Sequence, residues 1–322
     1  MNKLLIVVFL LVTACSNRVV STEEKRSIAI VECQGDDPGF ARLRSVNALC
    51  GKYSVFENRK TQKGRKIDLN IAVLPAFANR PEPDPLFFLA GGPGQAATDL
   101  GPLISRLFKK VLAHRDIVFV DQRGTGLSNP LDCEWNKEGD LAKMLRVEPP
   151  LKEIEACVNG YDADLGLYTT DIAMDDLDEV REKLGYDKIN IYGGSYGTRA
   201  ALMFLRRHGD KVRSVILDGV APFQNPIPVN FADDAEKSLE LLLEDCKKSR
   251  HCDSAFPNIK QKLDDLLEQL EQNPGQVSLK HPRTGKLSKV EIKRDNVTGI
   301  LFSSLYSSEV SALIPLAIEK AI

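Results

Sequence analysis

The sequence predicts a mostly parallel α/β sheet with helices on both faces, carrying a mainly helical insertion. Three observations support that reading. Short, continuously apolar runs alternate with helix-like segments up to Pro222. Glycine-rich turns follow directly on the ends of two of those runs. Beyond Pro222 the alternation stops, and segments rich in Leu, Glu and Lys take over.

Lys3 followed by the uninterrupted apolar run Leu4 to Val12 reads as a signal peptide, too short to span a bilayer as a helix. Val12-Thr13-Ala14-Cys15 then resembles the lipobox of bacterial lipoproteins, which implies a lipid on Cys15 and an extracytoplasmic location on a bacterial membrane. Residues 1–15 are therefore assigned as signal, 16–32 as a polar tether, 33–222 as the α/β core and 223–322 as the cap.

Within the core, Ile67 to Phe77 reads as a strand, closed by a Pro-rich turn over 80–85. Leu86 to Ala90 (LFFLA) and Asp116 to Val120 (DIVFV) read as strands buried on both faces, separated by a helix over 105–112. Thr169 opens a helix whose apolar residues Ile172, Leu177, Val180 and Leu184 share one face, and Gly185 ends it. Lys188 to Tyr192 and Ser214 to Leu217 are further strands around a helix over 196–207. In the cap, helices are expected over 231–249, 258–273, 296–306 and 309–321, with a hairpin within 277–294.

Lys and Arg total 43 against 45 for Asp and Glu, a balance that argues against nucleic acid as a partner. Leaving Cys15 aside, six cysteines remain in an exported chain, where disulfides persist. Fifteen connectivities are possible for six cysteines. Nearest-neighbour pairing, 33–50, 133–157 and 246–252, closes the shortest loops. No CxxC pair exists, which disfavours a metal site.

The decisive motif is Gly193-Gly194-Ser195-Tyr196-Gly197, a G-x-S-x-G sequence with a strand before it and a helix after it. So sharp a turn strains the serine backbone and requires small residues two before and two after it; Gly193 and Gly197 meet that need. Ser195 is thus the candidate nucleophile, with the backbone N–H of Tyr196 as one oxyanion donor. The second donor comes from the loop Gly91-Gly92-Pro93-Gly94. Pro93 has no N–H, so Gly92 is the choice.

These motifs, with Asp121-Gln122-Arg123-Gly124-Thr125-Gly126-Leu127-Ser128, resemble the proline iminopeptidase and tripeptidyl aminopeptidase group of serine peptidases, in its secreted lipoprotein branch. CGKYSVFENR at 50–59, TTDIAMDDLDEVREKLG at 169–185 and SALIPLAIEKA near the end extend the resemblance. It implies the α/β-hydrolase fold with a helical cap, no cofactor, and peptides with free N-termini as substrates. On this reading Asp121 and Arg123 form a charged pair bracing the loop beside the active site.

A serine also needs a base and an orienting acid. The four histidines, His114, His208, His251 and His281, all lie away from the expected position, and Asp218 reads as a strand-end residue rather than the acid. The expectation is that the last strands of the core, with the Asp and His of the triad, lie beyond residue 322. An esterase on the same turn, and a non-catalytic envelope scaffold, are the competing readings.

Overall fold

The protein is described as a computed structural model covering residues 27–34, 38–133 and 141–322; the signal peptide, Cys15 and most of the tether lie outside the described residues. Two compact units emerge: residues up to Pro130 with Asp164–Ala221, and Leu131–Ala163 with Pro222–Ile322. Chain order begins with β1 (Val31–Glu32), α1 (Pro38–Arg44), β2 (Leu49–Phe56), β3 (Lys66–Leu74), β4 (Leu86–Leu89), α2 (Gly101–Leu107), α3 (Lys109–Leu112) and β5 (Ile117–Val120). An excursion contributes α4 (Leu141–Met144) and α5 (Leu151–Asn159), after which α6 (Thr170–Lys183), β6 (Ile189–Gly194), α7 (Tyr196–His208) and β7 (Val212–Asp218) complete the first unit. The second unit continues with α8 (Phe231–Lys248), α9 (Arg250–Ala255), α10 (Ile259–Gln272), the hairpin β8 (Gly275–Lys280) and β9 (Leu287–Ile292), α11 (Arg294–Ser304), α12 (Ser308–Ser311) and α13 (Ile314–Ala321).

The first unit is built on a seven-stranded sheet in the order β1-β2-β3-β5-β4-β6-β7. The pairs from β1 to β5 are antiparallel, and β5-β4-β6-β7 run parallel. Because side chains alternate across a strand, LFFL divides between two cores. Phe87 and Leu89 pack with Met174, Leu177 and Val180 of α6 and Ala200, Ala201 and Phe204 of α7. Leu86 and Phe88 pack with Leu43 of α1, Ile104 of α2 and Leu112 of α3. Both β4 and β5 are buried along their whole length, which is why they read as continuous apolar runs.

Two boundaries differ from the sequence reading. The end of the expected tether is part of the fold: Ile28 is buried, Ser27 donates its N–H to the Lys183 carbonyl at 2.9 Å, and Val31 and Glu32 pair with Cys50 and Leu49. The expected core also loses 131–163 to the second unit. Lys293 Nζ binds Glu148 at 2.8 Å and Asn296 Nδ2 donates to the Leu145 carbonyl at 2.6 Å, tying the excursion to α11. Such partners, roughly 150 residues apart, leave no local signature. All three disulfides follow nearest-neighbour pairing: Cys33–Cys50, Cys133–Cys157 and Cys246–Cys252. Leu243, Ile259, Leu263, Leu301, Ile314 and Ile318 form a buried core in the second unit. No helix among the described residues is long and apolar enough to cross a membrane.

At the N-terminal ends of the parallel strands, Asp84 is held by Asn190 Nδ2 at 2.7 Å and by Arg115 and Arg213 Nε, each at 3.2 Å. Burial pushes the Asp84 carboxyl up, but these hydrogen bonds and charges outweigh it and hold the group below its ordinary value. A depressed carboxylate stabilises the fold above its unfolded value, about 3.9, and that contribution is lost as pH falls through the folded value. Urea unfolding followed from pH 7 to pH 3 is expected to show a steeper acid loss for wild type than for Asp84→Asn. Equal slopes would refute the assignment.

Candidate active site at the serine turn

Ser195 stands between β6 and α7 with φ 54° and ψ −122°, a conformation that L-residues rarely adopt. Such backbone strain costs about 1–3 kcal/mol and must be imposed by the surroundings. Here the imposition is visible. Ser195 N–H donates to the Asp218 carbonyl at 2.8 Å, and the Ser195 carbonyl accepts from Thr198 N–H at 2.9 Å and Thr198 Oγ1 at 2.7 Å. Thr198 Oγ1 in turn accepts from Ala221 N–H at 2.8 Å, fixing the chain beyond β7.

The flanking glycines are sterically required. A Cβ at Gly193 would sit 2.3 Å from the Gly197 carbonyl oxygen, and one at Gly197 would sit 2.2 Å from the Leu89 carbonyl oxygen. Both contacts are with backbone, so neither can relax cheaply. Gly197→Ala is expected to cost about 3 kcal/mol in urea unfolding, whereas Gly209→Ala, with nothing within 4 Å of the added carbon, should be tolerated. Equal stability of the two variants would contradict the close approach.

Three strand ends converge on the serine. A Cβ at Gly91, after β4, would lie 3.3 Å from Ser195 Cβ, and one at Gly219, after β7, would lie 3.9 Å from Ser195 N. Ser195 itself is exposed. The 13-residue helix α7 begins at Tyr196, so the first-turn N–H groups beside the hydroxyl include some without intrahelical acceptors, and the helix dipole favours negative charge there. Gly92, with φ +108°, has room for no side chain: its Cβ would meet Gly94 N at 2.8 Å. This arrangement can present a hydroxyl to an electrophilic carbon and backbone donors to the oxygen attached to it.

Side chains around the turn are pinned by aromatic and polar contacts. Tyr196 hydrogen-bonds through its phenol to Thr170 Oγ1 at the start of α6. Tyr192 stacks on Phe88 at 5.1 Å and donates to the Asp218 carboxylate. Burial, followed by the Asp218 bond, pushes the Tyr192 phenol up to about 12, so it remains a donor at neutral pH.

Asp121 and Arg123 are buried, but the expected pair does not form. Asp121 accepts from Thr98 and Asn70, whereas Arg123 forms a two-point bond to Asp176 of α6 at 2.7 and 2.9 Å and donates to the carbonyls of Glu57 and Leu167. Sequence reasoning missed Asn70, Glu57, Asp176 and Tyr168, whose phenol donates to Glu57 Oε1 at 2.8 Å. Asn70 had a signal, a lone amide inside the apolar run IDLNIAVL; the others are recognisable only by their partners.

Neither histidine of the first unit, His114 or His208, lies at the turn, and His251 and His281 belong to the second unit. His208 ends α7, about 20 Å along the helix from Ser195 at 1.5 Å per residue, and binds Asp175 at 2.9 Å. His114 precedes β5, at the opposite end of the parallel strands from Ser195. His281 closes the hairpin turn, accepting from the N–H groups of Arg283 and Thr284, and His251 is exposed on α9.

The family model described as alpha/beta hydrolase fold matches residues 84–248, just over half of the chain. The chain belongs to the α/β-hydrolase family. Serine protease Hip1 of Mycobacterium tuberculosis is 30% identical to this hydrolase-family chain over 230 residues, covering 64% of the chain and 42% of that protein. The putative hydrolase YuaR of Escherichia coli is 28% identical over 188 residues, covering 55% and 37%. The proline iminopeptidase of Neisseria gonorrhoeae is 28% identical over 144 residues, covering 44% and 34%. The chain therefore spans less than half the length of each of these relatives.

Proposed function

We propose that Ser195 is the nucleophile of a serine peptidase that releases residues or short peptides from the free N-termini of peptides. The carrying observation is the strained serine at φ 54°, exposed at a strand–helix turn with the Gly91–Gly94 loop against it. Ser195 Oγ attacks the carbonyl of the bond to be cut, and its proton passes to a histidine base. The Tyr196 and Gly92 N–H groups hold the oxyanion. The protonated histidine then gives its proton to the leaving amine, and water releases the acyl group from the serine.

The base, in this reading, is a histidine outside these 322 residues. The positions of His114 and His208 support that, as does the greater length of the relatives named serine protease and proline iminopeptidase. We further propose that Cys15 carries a lipid and that the protein works outside the cytoplasm, a setting in which its three disulfides persist.

The test uses the full-length protein with peptidyl arylamides bearing free or acetylated N-termini, and with an aryl ester. Cleavage of the free-amine substrate alone among the arylamides is expected, together with fluorophosphonate labelling at Ser195. Ester hydrolysis without arylamide cleavage would replace this reading with an esterase. A folded protein that takes no label would remove Ser195 from the chemistry.

A further inference from the structure

We infer that Asp121 is the positioning residue for the oxyanion loop Gly91–Gly94, acting through Thr98. The inference rests on reading that loop as the source of an oxyanion donor.

Among the described residues, Gly91 to Gln95 make no hydrogen bond, and Gly92 to Gln95 are exposed. The loop therefore takes its position from its two ends. The near end is set by β4 and by the close approach of Gly197 to Leu89. The far end is Ala96–Thr98, which is buried, and there Asp121 is the fixed point.

Asp121 is 0% exposed and sits just past β5, its N–H donating to the Asn70 carbonyl of β3 at 3.0 Å. Its carboxylate accepts four hydrogen bonds: Thr98 N–H and Thr98 Oγ1, each at 2.9 Å, Asn70 Nδ2 at 2.9 Å and Leu127 N–H at 3.3 Å. Two of the four go to the one residue that ends the loop. Burial pushes the carboxyl up and outweighs the donors that pull it down. A buried carboxyl group whose oxygens are engaged by fixed donors holds them tightly, because releasing one leaves a buried polar group without its partner.

The surroundings prevent Asp121 from yielding. A Cβ at Gly126 (φ +53°) would lie 2.4 Å from Asp121 Oδ2 and 2.8 Å from Ala96 Cβ, so the turn after β5 closes over both. Ser128 Oγ accepts from Asn70 N–H at 2.8 Å, locking that turn to β3. The Asp-Gln-Arg-Gly-Thr-Gly-Leu-Ser stretch thereby acts on the chemistry at a distance, by fixing where the Gly92 N–H points. A donor aimed at a transition state loses much of its worth when displaced by less than 1 Å.

The experiment compares Thr98→Val, which keeps the shape and removes the Oγ1 donor, with Thr98→Ser, which keeps the donor, in the full-length protein. Thr98→Val is expected to lower kcat about tenfold with KM unchanged, and to lower the backbone NMR order parameters of Gly91, Gly92 and Gly94 without changing those of β5 or α7. Thr98→Ser should restore both readouts, and Asp121→Asn should have a larger effect of the same kind. Wild-type order parameters in Thr98→Val, equal impairment by both Thr98 variants, or a rise in KM at constant kcat would each overturn the inference. If the wild-type protein neither turns over nor labels at Ser195, the oxyanion reading fails, while the order-parameter comparison still decides whether Asp121 holds the loop. Should Asp121→Asn fail to fold, the Thr98 pair carries the test.

Discussion

Ser195→Ala in the full-length protein is expected to lower turnover by about 10⁶-fold, the size seen when a triad serine is lost, with stability within about 0.5 kcal/mol of wild type. The two halves of that result have separate causes. Ser195 is an exposed residue, and the bonds that hold the turn run through its backbone to Asp218 and Thr198, so removing Oγ leaves the scaffold intact. Ser195→Gly sharpens the test. It is equally inactive, but glycine enters the φ 54° region without a Cβ clash, so it should unfold at higher urea than Ser195→Ala by about 1 kcal/mol. More than 1% residual activity in Ser195→Ala, or no stability difference between the two variants, would contradict the strained-nucleophile assignment.

The second large effect concerns folding rather than chemistry. Arg123→Ala should cost about 3–5 kcal/mol, because it leaves a buried carboxylate without its main partner. Arg123 is fully buried at its side chain and Asp176 nearly so, and the guanidinium also serves the carbonyls of Glu57 and Leu167. Arg59 Nη1, 2.9 Å from Asp176, would be the remaining cation, on a side chain that is 23% exposed. Lysine cannot reproduce the two-point bond, so Arg123→Lys should recover little. Arg123→Met combined with Asp176→Leu should be less damaging than Arg123→Ala, since no charge is stranded. By contrast Arg42→Ala, which breaks a pair more than half exposed on both sides, should cost under about 1 kcal/mol. Urea unfolding of the four variants reads all of this. A loss below about 1 kcal/mol for Arg123→Ala would show that the buried bond is not structural.

The parallel part of the sheet was legible because burial on both faces demands uninterrupted apolar runs, as in LFFL and IVFV. Strand β2 was not read as a strand: LCGKYSVF mixes buried, half-buried and exposed positions and carries a glycine and a lysine, as suits an antiparallel strand near the sheet edge. The disulfide pairing was also open to a guess, since each bridge closes a short loop. The charged pair inferred between Asp121 and Arg123 failed because nearness along the chain says little about direction: one side chain turns to β3 and Thr98, the other to α6.

By itself the sequence determined the serine turn, because the clash that requires Gly193 and Gly197 arises within a few residues of Ser195 and against the neighbouring strand end. It likewise determined the family, whose matched region runs from the strand before the Gly91–Gly94 loop to the end of α8. Only the tertiary structure decided what holds the far end of that loop, which helix Arg123 anchors, and to which unit residues 131–163 belong. Those outcomes depend on contacts between residues 23 to 151 positions apart. Contacts at such separations are made by packing, and composition and periodicity carry no record of them.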